Sequence, residues 1–278
     1  MHPVLAGRFA NDAGLLVSHV IAFETSAESL ALIDTGIGVD ARRDPRTRLG
    51  TALTVTARPS RDPAQAVVAQ LEARGYARAD VRDIFLTHLD IDHAAGLSDF
   101  PDAVVHVHQD ELAAALDPPS RAERERYIAA NWAHDVQWAA FGSGAPEATD
   151  LGPKGYEHLA GQVVALPLPG HTRGHTGYAI RDGDGWLLHA GDAFYHEATL
   201  DPSSGARASR FLRIFERAAA VLPDLLAARH RELQALARDA AVEVVCSHDP
   251  ALLRRARQRA EGVSGAGAPA RPGARRSR

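Results

Sequence analysis

The stretch "LTHLDIDHAAGL", residues 86–97, places His88, Asp90, Asp92 and His93 within six positions. Further along come His171 in "PLPGHTRGHT", Asp192 in "LLHAGDAFY" and His248 in "VVCSHDP". Each follows an apolar run and sits in a polar turn, where a rigid strand can hold a side chain and a loop can leave it open. A lone histidine at a strand end is usually structural, but seven such coincidences argue for a shared purpose. Imidazole nitrogens mixed with carboxylate oxygens suit zinc, manganese or iron better than calcium. Seven donors exceed what one four-coordinate ion needs. They match two ions that share a bridging carboxylate and a bridging water.

Elements that could position these donors are legible nearby. "LLVSHVIAFET", "LALIDTG", "VRDIFLTH", "DAVVHVHQ", "QVVALPLPG" and "AVEVVCSHD" read as strands, and "YAIRDGDGWLLHAGD" as a hairpin around residues 182–185. "RDPAQAVVAQLEARGY" reads as a helix with Asp62 at its N-cap, Pro63 in its first turn and Gly75 at its end. Residues 38–60 show no period and are expected to be a long loop, in which Arg42, Arg43, Arg46 and Arg48 form a solvated charge run. Residues 120–141 and 207–240 are expected to be helical. Alternation of strands and helices points to a mixed α/β fold. One domain is expected over residues 1–261, with a helical cap insertion at about 117–160. A disordered Gly/Pro/Arg-rich tail is expected over 262–278.

The chain has 278 residues, 45 % of them apolar, and a formal net charge of −4. Such a balance points to neither a nucleic-acid nor a membrane partner. Cys246 is the only cysteine, so no internal disulfide is available; it is expected to be buried. The N-terminus lacks a basic start with a long apolar run, and no stretch approaches the roughly 18 residues of a membrane span. A soluble cytoplasmic protein is the expectation.

Taken together, the motifs resemble those of metallo-β-lactamase-fold hydrolases: H-x-H-x-D-H, a Gly-His-Ser/Thr turn, a Gly-Asp turn and a late histidine after a strand. All occur here in order over roughly residues 15–255, with Asp90 standing in place of the middle motif histidine. The resemblance implies a four-layer αβ/βα sandwich, two mixed β-sheets flanked by helices, with the site along one edge. It assigns His88, Asp90 and His171 to one divalent ion and Asp92, His93 and His248 to another, with Asp192 bridging. Asp34 in "LIDTG" would support the site from behind the ligands. Two ions, zinc first, would hold a bridging hydroxide over Asp92 as the nucleophile.

Asp90 changes the charge. Two divalent ions are balanced by Asp90, Asp92, Asp192 and one hydroxide, where a histidine at position 90 would leave one positive charge. Asp90 shifts preference toward manganese or iron(II). Within the superfamily, Tyr195, three residues after Asp192, resembles the tyrosine of the N-acyl-homoserine-lactone lactonases, which donates to the substrate. The expected activity is therefore hydrolysis of a small-molecule ester or lactone, with Asp92 and Tyr195 as catalytic residues. A thioesterase, a phosphodiesterase, or a non-catalytic metal-binding or sensor protein is the alternative. His106 and His108 are expected to be structural, and His175, His189 and His196 to support or pack around the ligands.

Overall fold

The computed structural model describes residues 5–11, 14–25, 27 and 29–264. The expected tail lies almost wholly outside the described residues. Two six-stranded sheets face each other. The first contains β1 (Leu5–Asn11), β2 (Gly14–Glu24), β3 (Leu30–Ile33), β4 (Val81–Phe85), β5 (Val104–His108) and β6 (Gln137–Phe141), in that order. The first two pairings are antiparallel and the rest parallel. The second runs β12 (Val242–Val245), β11 (Gly185–His189), β10 (Thr176–Asp182), β9 (Val163–Pro167), β8 (Lys154–His158) and β7 (Glu147–Ala148). Only its β11–β12 pairing is parallel. Both sheets are thus mixed, as expected.

Side-chain alternation explains the layering. On β3, Ala31 and Ile33 turn to the space between the sheets, while Leu30 and Leu32 turn outward. Likewise β2 sends Ile21 and Phe23 inward, and Val20 and Ala22 outward. The inner residues meet Val163–Leu166, Tyr178 and Ile180 of the second sheet. The outer face of the first sheet is covered by α3 (Val67–Glu72) and α5 (Gln109–Leu116), through Val67, Val68, Leu71, Ala114 and Ala115. Leu233 of α8 (Leu226–Leu236) and Leu252 of α9 (Pro250–Ser264) cover the second. This is an α/β/β/α sandwich.

Five expectations are corrected. Residues 38–60 form α1 (Val39–Arg43) and α2 (Pro45–Thr56) instead of a loop. Asp44 caps α2 by accepting from Thr47 N, Pro45 occupies the first turn, and Gly50 kinks the helix at φ 71°; that kink breaks the apolar periodicity that would have announced a helix. Arg42 is buried, donating to the Ile37, Ser60 and Gln65 carbonyls, so this arginine is not part of a solvated run. The 120–141 segment is helical only in α6 (Arg121–Arg126) and a single 3₁₀ turn; its end becomes β6, paired parallel to β5 with Val105 opposite Trp138. A free sheet edge there overrides the helix propensity of its alanines. The insertion at 117–160 is therefore part helix and part strand, not a helical cap. Finally, the C-terminal helix α9 runs to Ser264, past the expected boundary.

Burial also sets an acid sensitivity. His158 is held neutral, its pKa pushed down to about 4 by burial and by neighbouring His106. The unfolded chain protonates this group first, near 6.5, so its contribution is complete above that value and is lost as pH falls toward 4. Relative to a His158→Gln variant, wild type should lose stability between pH 7 and pH 5 in denaturant melts. A constant difference between the two proteins would contradict this.

Candidate metal centre

The donors arrive from four loops at one edge of the sandwich. His88 lies just past β4. Asp90, extended at φ −64° and ψ 154°, precedes the four-residue helix α4 (Ile91–Ala94), which carries Asp92 and His93 in its only turn. Asp92 is thus helical. Leu89 is buried, and Ile91 packs beside Ile37 and Leu49 while also lining a cavity. His171 sits in the turn after β9, Asp192 follows β11 and His248 follows β12.

All seven side chains converge. His88, His171 and Asp192 form one group of three donors, and Asp92, His93 and His248 a second, each within 4.8 Å. Asp192 lies between the groups. Its Oδ1 is 3.4 Å from His93 Nε2, while its Oδ2 is 3.6 Å from His171 Nε2 and 3.9 Å from His88 Nε2. Asp92 Oδ2 lies 3.6 Å from His93 Nε2 and 3.5 Å from His248 Nε2. Ligands about 2.0–2.1 Å from a tetrahedral ion stand roughly 3.3 Å from one another, so these spacings fit coordination with small adjustments. Asp90 joins the first group through Oδ2, 3.5 Å from His88 Nε2. The 2.9 Å contacts from His248 Nε2 to Asp192 Oδ2 and from His171 Nε2 to Asp90 Oδ2 must open slightly. A second observation supports the fit. His88 Nε2, His93 Nε2, Asp90 Oδ1 and Asp192 Oδ1 are buried without a hydrogen-bond partner among the described residues, a costly state that a cation would relieve.

Supporting groups fix the imidazoles. Asp34 accepts from Thr87 N and the Thr87 hydroxyl, and its Oδ2 lies 2.8 Å from His93 Nδ1. His93 then presents Nε2 to the centre. His88 Nδ1 reaches Thr87 Oγ1 at 2.9 Å, and His248 Nδ1 donates to the Val17 carbonyl at 2.8 Å. His175 supports from behind, as expected: its Nε2 accepts from Asp192 N. Gly191, at φ 54°, permits that approach, because a Cβ there would lie 2.6 Å from His175 Nε2. His189 bridges the His19 carbonyl and Gly191 N. His106 pairs with Asp83, and His108 caps α5. His196 caps a 3₁₀ turn. Cys246 is buried, its thiol pushed well up by burial.

The electrostatics divide the histidines. Burial alone would lower His93, yet Asp192, Asp92 and Asp34 raise it well above the ordinary value. His248 is likewise raised to about 9, since Asp192 outweighs its burial. His171 falls to about 4 through burial, despite its hydrogen bond to Asp90. Carboxylates so arranged attract positive charge, whether proton or metal. Replacing Asp34 with asparagine should therefore weaken metal retention roughly 10–100-fold, the usual cost of losing an outer carboxylate. Metal content after dialysis against graded chelator measures this; unchanged retention would show that Asp34 does not hold His93.

Two contributors escape sequence reasoning. Glu111, fully buried on α5, accepts from Leu89 N, Tyr127 Oη and Gly174 N. It ties the first donor loop to the His171 turn. A Cβ on Gly174 would lie 2.2 Å from Glu111 N, so only glycine allows this contact. Arg126, at the end of α6, donates from Nη1 to Asp90 Oδ2 at 2.7 Å and lies 3.0 Å from His171 Nε2. Within "RAERER" nothing marks one arginine as buried. Beside the donors opens a cavity of about 610 Å³, lined by Leu49, Leu53, Ile91 and Tyr195 and by Phe211 and Phe215 of α7 (Arg210–Ala219).

The profile of the metallo-beta-lactamase superfamily matches residues 13–248. The chain belongs to this superfamily. A probable metallo-hydrolase of Mycobacterium tuberculosis is 38% identical over 248 residues, covering 88% of this chain and 78% of the relative. The N-acyl homoserine lactonase AttM of Azorhizobium caulinodans is 27% identical over 228 residues, covering 81% and 80%. Among solved structures, an N-acyl homoserine lactone hydrolase with N-hexanoyl-L-homoserine at its catalytic metal center superposes with a TM-score of 0.65 at 20% identity, covering 91% of this chain and 94% of that one. The metallo-beta-lactamase superfamily fold expected from the motifs is therefore the fold observed. This member is a metallo-hydrolase, and among its described residues no helix is long and apolar enough to cross a membrane.

Proposed function

We propose that the protein hydrolyses a small ester or lactone with an apolar body, using two divalent ions. His88, Asp90 and His171 would hold one ion and Asp92, His93 and His248 the other, with Asp192 between them. Bound there, the ions supply a nucleophile at neutral pH and Lewis-acid polarisation of the carbonyl. The observation that carries this reading is the convergence of all seven donors beside one largely apolar cavity, which five of them line.

The chain's own groups do the rest. Leu49, Leu53, Phe211 and Phe215 bury the apolar part of the substrate and exclude water from it. Tyr195 lines the cavity, its ring 5.0 Å from that of His248 and 6.1 Å from that of His171. Its phenol is pushed well up, first by burial and then by Asp192, Asp90 and Asp92, with Arg126 opposing. It stays protonated at working pH, a neutral donor for the substrate carbonyl or leaving oxygen. Asp92 lies between the His93 and His248 nitrogens and orients the attacking group. The relation to AttM supports a lactone in particular.

The test is elemental analysis followed by a panel of lactones and esters of increasing acyl length, assayed with zinc, manganese and iron(II). About two ions per chain are expected, with kcat/KM rising roughly fourfold per added methylene until the cavity is filled. Fewer than about one ion per chain would overturn the reading, as would hydrolysis no faster than in metal-stripped protein.

A further inference from the structure

We propose that Asp90 and Arg126 act as one ligand unit, in which the carboxylate takes a histidine's coordinating place and the guanidinium restores a histidine's charge. The inference rests on the two-ion reading above and concerns how this chain tolerates its departure from the motif.

Three observations carry it. First, the two oxygens of Asp90 are not equivalent. Oδ2 receives Arg126 Nη1 at 2.7 Å and is also the oxygen that faces the donors, 2.9 Å from His171 Nε2 and 3.5 Å from His88 Nε2, whereas Oδ1 is buried without a hydrogen-bond partner. The oxygen turned toward an ion is thus the one that carries the guanidinium, so the charge that Asp90 adds is offset at the coordinating atom itself, which brings the ligand close to an imidazole's charge. Second, Arg126 is fixed. Its side chain is 16% exposed, its Nη1 donates to Asp90 and its Nη2 to the Ala219 carbonyl; the 3.0 Å approach of Nη1 to His171 Nε2 gives way when an ion takes that nitrogen's lone pair. A guanidinium keeps its charge at any working pH, and its planar fork suits two simultaneous acceptors. Third, the charges balance. A donor shell with histidine at position 90 would carry two negative charges, from Asp92 and Asp192. Asp90 makes it three, and Arg126 returns it to two.

The unit predicts an interaction between the two positions rather than two separate effects. Asp90→His alone sets an imidazole ligand beside a buried guanidinium with no carboxylate to hold it, and one positive charge is left in excess. Removing that charge should repair the defect. Wild type, Asp90→His, Arg126→Met and the double variant are each loaded with zinc and dialysed against a graded chelator. Zinc per chain is measured by elemental analysis and folding by circular-dichroism melting.

Asp90→His should lose its weaker zinc at about tenfold lower chelator than wild type. The double variant should return to within about threefold of wild type, and Arg126→Met alone should hold zinc no more weakly than wild type. Arg126→Gln replaces methionine if the latter fails to fold. Arg126→Lys keeps the charge and should not rescue Asp90→His. A double variant that holds zinc no better than Asp90→His would overturn the unit, as would rescue by lysine. Wild type that binds no zinc, manganese or iron(II) would instead overturn the metal reading itself, so the two failures are distinguishable.

Discussion

Asp192→Asn is expected to abolish more than about 99% of the hydrolytic activity and to reduce metal content at both sites at once. The size of the effect follows from geometry. One carboxylate faces both donor groups, Oδ1 toward His93 and Oδ2 toward His88 and His171. An amide keeps one oxygen and substitutes an N–H dipole whose positive end would point at a cation. Losing an outer-shell partner alone costs about 10–100-fold in metal affinity or activity, and the loss of a shared ligand should exceed that range. The side chain is fully enclosed and its backbone N–H is held by His175, so the asparagine has no room to turn away. Elemental analysis and turnover on the best substrate of the panel provide the check. Retention of two ions with activity within about tenfold of wild type would remove Asp192 from the bridging role.

Tyr195→Phe is expected to act differently: kcat falls by roughly 10²–10³, while KM and metal content stay nearly unchanged. A single donor directed at developing negative charge is worth about that much. The substitution deletes one oxygen and leaves the ring, which packs edge-on against His248 and beside Phe215. Cavity shape and apolar contacts are therefore preserved, which isolates the hydroxyl. Equal losses in kcat and kcat/KM would mark an interaction made only in the transition state. A wild-type kcat in the phenylalanine variant would reduce Tyr195 to part of the cavity wall.

The donor residues were legible because coordination chemistry limits them to a few side-chain types, and because each follows an apolar strand. Asp34, just after β3, was legible only through the resemblance of "LIDTG" to the family's strand. Strands β2 to β5 and β9 to β12 announced themselves through their apolar runs, whereas β1, β7 and β8 did not. Helix α2 did not, since a mid-helix Gly50 at positive φ interrupts its pattern. β6 did not either, because its pairing with β5 depends on a partner about thirty residues earlier. Arg126 and Glu111 were hidden for a further reason. Each is a common surface residue type whose role comes wholly from tertiary placement, one against Asp90 and the other against three loops.

The His248 anchor has a consequence for assembly. Its Nδ1 donates to the carbonyl of Val17, 231 residues away, so the last candidate donor is oriented by one of the earliest strands. Closing so long a loop comes late in folding, because its entropic cost must be met before the contact repays it. The first donor loop can take shape from local contacts, but the second group of three is incomplete until β12 has docked beside β11. On the proposed two-ion reading, metal capture would then come at the end of folding. A bound pair of ions would then report that the two halves of the sandwich have closed, and a partly folded chain would hold them only loosely.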